Sequence, residues 1–376
     1  MPELPEVERA AALIRSLALG GTIDKVETAE DTIVFSGASH EEFAKEITTR
    51  TIKEVGRYGK VFYLILDGEG RMPVFHFGMT GMLQVRGSLP IHYREAPRKT
   101  STDWPPRFMK FILHITPASS STPIEIAFLD ARRLGRIRLC KTPLTEPPIS
   151  ALGFDPILSM PDLEYFTKGV LKRTCPIKAL LLDQSFSAGV GNWVADEILY
   201  HARVHPEQRC NTFSPAQLTA LHHQTQEVCR IAVKVNADDK KFPADWLFRH
   251  RWDRGKKSKG KGAKDTESML KLPSGEPATI KWITVGGRTS AYITELQHLP
   301  QTQAAGRNGT KDKTEDGGEE SDLTPLSESD TEVVVRTRAA KKRKASSDDS
   351  KPTKQPRTSK REPPSTSTSR RTGRKK

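Results

Sequence analysis

The sequence predicts an α+β chain: an N-terminal two-layer β-sandwich with an N-terminal helix, a helical second half, a closing β-hairpin and a disordered basic tail. Three observations carry this. Short strand-like runs separated by Gly, Pro and Asp fill the first 145 or so residues. After Pro147-Pro148 the apolar spacing changes to the helical period of about 3.6. Residues 301–376 contain no Phe, Trp, Tyr or Cys, so they cannot bury enough apolar area to offset chain entropy.

In chain order, Glu3 to Leu19 reads as a helix with Val7, Ala11, Ile14 and Ala18 on one face and Gly20-Gly21 as its stop. Strands are expected at Ile23 to Glu27, Thr51 to Val55, Val61 to Leu66, Pro73 to Phe77, Phe108 to Ile115, Ile124 to Phe128 and Ile137 to Leu139. Ser39 with Glu42 three residues on reads as a capping box for a short helix near Glu41 to Thr48. The helical half is expected at Pro161 to Lys168, Ile177 to Leu182, Trp193 to His201, and Pro215 to Val235 with Ser214 as its cap. Thr279 to Thr284 and Thr289 to Leu296 flank Gly286-Gly287, a two-residue hairpin signal with Arg288 at its tip.

The chain has 376 residues with 35% apolar and 28% charged side chains, room for two folded domains plus extensions. Its formal charge of +14 favours polyanionic partners such as nucleic acid. That charge is unevenly spread: residues 301–335 carry −6 and residues 336–376 carry +13, leaving +7 on residues 1–300. The clusters Lys341 to Lys344 and Arg370 to Lys376 suit a nuclear-import receptor or non-specific DNA contact, and also suit a merely solubilising tail. No apolar run approaches about 18 residues and the start is acidic, so neither a membrane span nor a signal peptide is expected and the protein reads as intracellular. Cys140, Cys175, Cys210 and Cys229 are scattered with no C-x-x-C pair, which disfavours a disulfide scaffold or zinc finger.

Chemistry concentrates at the start, PELPEVE. Removal of Met1 would leave Pro2 with a secondary amine, of which roughly a tenth would be uncharged at pH 7 for an ordinary α-amino group. Attack of such an amine on a sugar C1′ gives an iminium, an electron sink that favours elimination of the neighbouring phosphates, while Glu3 could exchange protons with the sugar. The same residues also suit the plain start of a helix. Between Gln184 and Asn192 the loop SFSAGVG, with Gly189 and Gly191, could turn sharply and cradle a phosphate. Lys60 could hold a phosphate or solubilise an edge strand, Arg288 could do the same or simply occupy a turn, and Met79 could be a core residue.

PELPEVE, Lys60 within RYGKVFYLIL, HFGMTG from His76 to Gly81, DARRLGR from Asp130 to Arg136, GVGNWVADEIL from Gly189 to Leu199, and GGRTSAYI from Gly286 to Ile293 occur in the order seen in formamidopyrimidine-DNA glycosylases. Across residues 2 to 298 the chain closely resembles that family. It looks most like the plant and fungal branch, because FPADWLFRHRW leads into a hairpin without zinc-ligand cysteines. The resemblance implies a catalytic β-sandwich domain at 2–145, a helix-two-turn-helix DNA-binding domain at 146–240, a zincless finger at 241–298 and a tail at 299–376.

By that likeness Pro2 is the nucleophile, Glu3 the proton donor and acceptor, and Glu6 a second carboxylate ordering the site. Lys60, Asn192 and Arg288 hold phosphates around an extruded nucleotide, with Lys178, Gly189 and Gly191 among the DNA contacts. Met79 and Arg132 fill the gap in the duplex; the third such position, a Phe in the family, is Leu134 here, which keeps apolar bulk but lacks a planar face. The stretch Ala237 to Arg251 is too short for the long loop that covers 8-oxoguanine in bacterial relatives, which turns the expectation toward formamidopyrimidines and further-oxidised guanine. The resemblance thus implies a nuclear, monomeric bifunctional glycosylase and abasic-site lyase acting on double-stranded DNA with oxidised bases or abasic sites, without metal or soluble cofactor. The competing readings are a non-catalytic binder of damaged DNA and an endonuclease VIII-like glycosylase for oxidised pyrimidines.

Overall fold

Alternating apolar residues in the first half close two antiparallel sheets over one another. The computed structural model describes residues 2–89, 101–252 and 270–300; the expected tail beyond Pro300 lies outside them. Helix α1 (Leu4–Ala18) leads into β1 (Thr22–Thr28), α2 (His40–Ile47), β2 (Ile52–Tyr58), β3 (Val61–Leu66), β4 (Met72–His76), β5 (Met82–Val85), β6 (Met109–Thr116), β7 (Ile124–Leu129) and β8 (Arg136–Cys140). One sheet has the order β1-β6-β7-β5 and the other β2-β3-β4-β8. Their facing sides interdigitate a run of rings, with Phe62, Phe75, Phe111 and Phe128 all buried and Phe77 stacked on Phe128 at 5.4 Å.

The helical half contains α3 (Leu163–Leu171), α4 (Ile177–Leu182), α5 (Asn192–His201) and α6 (Pro215–Lys234), followed by the hairpin β9 (Ile280–Val285) and β10 (Arg288–Ile293). Helix α6 begins on the full capping box of Ser214 and Gln217, with Pro215 at its first turn. Its buried Leu218, Leu221, Val228 and Ala232 pack with Trp193, Val194 and Ile198 of α5.

Helix α1 belongs to both halves. Leu4 is buried in the helical core, whereas Val7, Ala10, Ala11, Ile14 and Ala18 are buried in the sandwich core. A second tie is ionic. Arg57 of β2 donates to Glu8 Oε2 at 2.8 Å and forms a buried pair with Asp155, which also accepts from Gly59 N at 2.8 Å.

Several expectations need correction. Strand β5 follows HFGMTG directly and is too short for alternation to reveal it. Helix α3 starts two residues later than Pro161 because Asp162 caps it, accepting from Tyr165 N at 2.7 Å. The Ser39 box is half formed: Ser39 Oγ accepts from Glu42 N, but the Glu42 carboxylate is drawn away to Arg71. Arg288 begins β10 opposite Val285, and the tip itself is Gly286-Gly287, both in left-handed backbone.

The Arg57–Asp155 pair yields a stability prediction. Asp155→Ala leaves the buried Arg57 with Glu8 as its carboxylate partner and frees the amides of Gly59, Ile157 and Leu158, and should cost about 3–5 kcal/mol, seen as a large fall in the denaturation midpoint. Removing the charge as well, in Arg57→Met with Asp155→Leu, should recover the ionic part of that loss but not the part owed to the freed amides; a double variant no better than the single would refute this account.

Candidate active site

The first turn of α5 has backbone amides without helical partners, and a carboxylate from the other end of the chain satisfies them. Glu3 Oε1 accepts from Trp193 N and Oε2 from Val194 N, each at 3.0 Å. Glu3 is 2% exposed, and the positive end of the helix favours its negative charge. Glu6, one turn on, accepts from Glu3 N at 3.0 Å and from the Trp193 ring Nε1 at 3.1 Å. Leu4 N donates to Gly189 O at 3.1 Å. The acidic start of the chain is therefore clamped onto the Gly189–Asn192 segment, and Pro2 lies buried beside a small cavity lined by Glu6, Phe77, Gly81 and Met82.

Two amides of the SFSAGVG loop are taken up within the protein. Gly189 N donates to Gln184 Oε1 at 3.0 Å and Ala188 N to Phe154 O at 2.8 Å. The glycines make room for protein: a Cβ on Gly191 would lie 2.2 Å from Glu3 Cδ, and one on Gly189, at φ +94°, 2.8 Å from Leu4 Cβ. Gly189 and Gly191 thus make room for the Glu3–Leu4 segment. Lys178 is also corrected. It is fully buried, ion-paired with Asp196, and donates to Asn192 O at 3.1 Å. Asp196 also accepts from Arg251 at 2.6 Å and from Ala291 N at 3.3 Å. Lys178 is a positioning residue that fixes the start of α5 and the foot of β10.

Lys60 sits in the turn between β2 and β3 and is 8% exposed, so it is not an edge-strand solubiliser. Burial lowers the pKa of its ammonium, Glu3 and Glu6 pull it back up, and Arg288 lowers it; those interactions bring Lys60, Glu3, Glu6 and Arg288 into one electrostatic cluster. Among the described residues its ammonium has no hydrogen-bond or ion-pair partner. Gly286 rests on Ala179 of α4, where an added Cβ would come within 3.1 Å of the Ala179 Cβ, and this seats the hairpin that carries Arg288. The Asn192 side-chain oxygen is buried without a partner at the first position of α5, next to the amides that hold Glu3.

His76 escaped the sequence reading even though it opens a quoted motif. It accepts from Gly78 N at 3.1 Å through Nδ1, and burial first, then Lys60, Arg136 and Arg138, lowers it to about 4. It is therefore neutral at physiological pH beside Lys60. Trp193 was missed as well; only the fold reveals that its ring holds Glu6. Met79, Arg132 and Leu134 come together around the buried Asp130, which accepts from Thr80 Oγ1 and Arg132 N. Arg132 is exposed, and Met79 and Leu134 are half-buried.

Glu6 is pushed up from 4.5 to about 8 by burial and then by the Glu3 carboxylate. Its proton is held more tightly folded than unfolded, so its contribution to stability is complete below the unfolded pKa and is lost as pH rises through about 8. The denaturation midpoint should fall between pH 5 and 8, and Glu6→Gln should flatten that slope; equal slopes in the two proteins would contradict the assignment.

Comparisons with known proteins agree on one family. The formamidopyrimidine-DNA glycosylase N-terminal domain matches residues 1–137, and the H2TH domain of formamidopyrimidine-DNA glycosylase matches residues 152–243. A formamidopyrimidine-DNA glycosylase of Arabidopsis thaliana is 37% identical over 324 residues, covering 84% of this chain and 78% of that protein. One from Bacillus subtilis is 31% identical over 240 residues, covering 62% of this chain and 78% of its own length. The fold is shared with MutM in complex with DNA containing carbocyclic 8-oxo-G, at TM-score 0.60 and 23% identity, over 79% of this chain and 100% of that one. It is shared too with the Lactococcus lactis enzyme bound to DNA with an AP site, at TM-score 0.59 and 23% identity over 78% of this chain and 99% of that one.

Proposed function

The chain belongs to the formamidopyrimidine-DNA glycosylase family, and from that premise we propose that it is a bifunctional glycosylase and abasic-site lyase for oxidised purines in double-stranded DNA. The observation that carries the reading is the Glu3 carboxylate held on the α5 amides at 3.0 Å, beside Pro2. A carboxylate locked by two amides cannot swing away, so it stays where protons are exchanged next to the nucleophile.

Once Met1 is removed, the Pro2 nitrogen attacks C1′ of the extruded deoxyribose, and the C1′–N bond to the base breaks with its electrons leaving on the base, which takes a proton. Ring opening gives an iminium at C1′ with the proton on O4′. Loss of a C2′ proton lets the 3′ phosphate leave, and a second elimination releases the 5′ phosphate. Glu3 is the group placed to donate and accept these protons. Lys60, Asn192 and Arg288 hold the phosphates that flank the sugar, and neutral His76 beside Lys60 adds a donor without further charge.

The lesion preference follows from the segment after α6. Leu247 N and Phe248 N are bonded to Glu197 at 3.0 and 2.8 Å, only thirteen and fourteen residues past the end of α6 at Lys234. That leaves little chain for a loop over the extruded base and favours formamidopyrimidines and further-oxidised guanine over 8-oxoguanine. We further propose that the enzyme works as a monomer in the nucleus, carried there by an import receptor that reads Lys341–Lys344 and Arg370–Lys376; a chain truncated after residue 335 should then lose nuclear accumulation, and unchanged distribution would refute this.

Borohydride should trap the Met1-processed protein covalently on abasic DNA, and a panel of single-lesion duplexes, oxidised pyrimidines included, should show release of formamidopyrimidines ahead of 8-oxoguanine. Pro2→Gly and Glu3→Gln, made separately, should each abolish strand cleavage with the lesion-containing duplex still bound. Binding without trapping, with the processed N-terminus confirmed by mass, would leave only a damaged-DNA binder.

A further inference from the structure

Asp130 is a buried post at one end of the β1-β6-β7-β5 sheet. It accepts from Thr80 Oγ1 at 2.9 Å, Arg132 N at 3.1 Å and Gly135 N at 2.6 Å, while its own amide donates to the Phe108 carbonyl at 3.0 Å. Three segments therefore meet here: the Met79 turn, the loop carrying Arg132 and Leu134, and Arg107-Phe108 at the foot of β6. The family resemblance gives the third no task.

Phe108 is 47% exposed, although an aromatic ring of its size is ordinarily buried. Its φ is +66°, a left-handed conformation that costs a bulky residue about 1–3 kcal/mol and that tends to mark sites of function. The Arg107 guanidinium lies 4.6 Å from the ring centroid, leaving a flat face backed by a cation. The strand register fixes its neighbourhood: Met109 pairs with Leu129, Leu129 pairs with Met82, and Met82 lines the cavity at Pro2 and Glu6. Met109, the residue after Phe108, thus stands two strands, about 10 Å, from Met82 at that cavity. Bases offer a π-face of any sequence to such a ring, and a flipped nucleotide leaves unstacked neighbours that need one.

We infer that Phe108, backed by Arg107, stacks on the bases of bound duplex DNA beside the extruded nucleotide and supplies from strand β6 the planar face that Leu134 lacks. This rests on the glycosylase reading above and adds to it a residue that sets damage recognition.

The test compares two readouts of the full chain: kcat/KM on a duplex carrying one formamidopyrimidine, and the rate of borohydride trapping on an abasic site in single-stranded DNA, where no helical gap needs filling. Phe108→Ala and Phe108→Leu should lower the ratio of duplex to single-strand rates at least about fivefold, the scale of one lost base stack; Phe108→Trp should hold it. Leu134→Phe added to Phe108→Ala should restore the ratio, which a misfolded protein could not do. A Phe108→Leu variant equal to wild type, parallel losses in both readouts, or no restoration by Leu134→Phe overturns the stacking role. A wild-type chain inert in both readouts overturns the glycosylase reading instead.

Discussion

The rest of the site depends on one carboxylate meeting one helix end. Glu3 stands at the N-terminus and the amides it caps belong to Trp193 and Val194, so the contact closes a loop of 190 residues. Seating an anion on a helix N-terminus is favourable, but the geometry also demands close approach, and Gly191 is glycine because the Glu3 side chain fills the space a Cβ would need. Glu197 repeats the device one turn along the same helix, accepting from Leu247 N and Phe248 N. Helix α5 is thus fixed at both faces by buried acids, and the groups that surround Pro2 inherit its rigidity.

Charge is gathered at this end of the molecule at a density that only mutual compensation allows. Lys60 is buried near two carboxylates and an arginine, and His76 beside it is held neutral by burial first and then by the Lys60 cation. Glu6 responds in the opposite sense, held protonated by burial and by Glu3. The two acids, three residues apart, are held by different donors: Glu3 by two helix amides, Glu6 by an indole N–H and a single backbone amide.

Much of the fold was legible because its signals are local. The period of 2 before Pro147 and of 3.6 after it, the Ser214-Pro215 start of α6 and the Gly286-Gly287 turn each follow from neighbouring residues. What escaped depends on partners far away in sequence. The purpose of Gly189 and Gly191 is readable only once Leu4 and Glu3 are known to lie against them, and Lys178 looks like a surface cation until Asp196 and Arg251 close around it. Strand β5 escapes the sequence because four residues beside the HFGMTG turn carry no period of their own, and Phe108 reads only as the start of a strand because exposure and a positive φ leave no trace in composition.

Helix α1 contributes Leu4 to one core and, three residues later, Val7 to the other. Any rotation of one half against the other must therefore strain that single turn, together with the Arg57–Asp155 tie, before it can carry Pro2 away from Glu3.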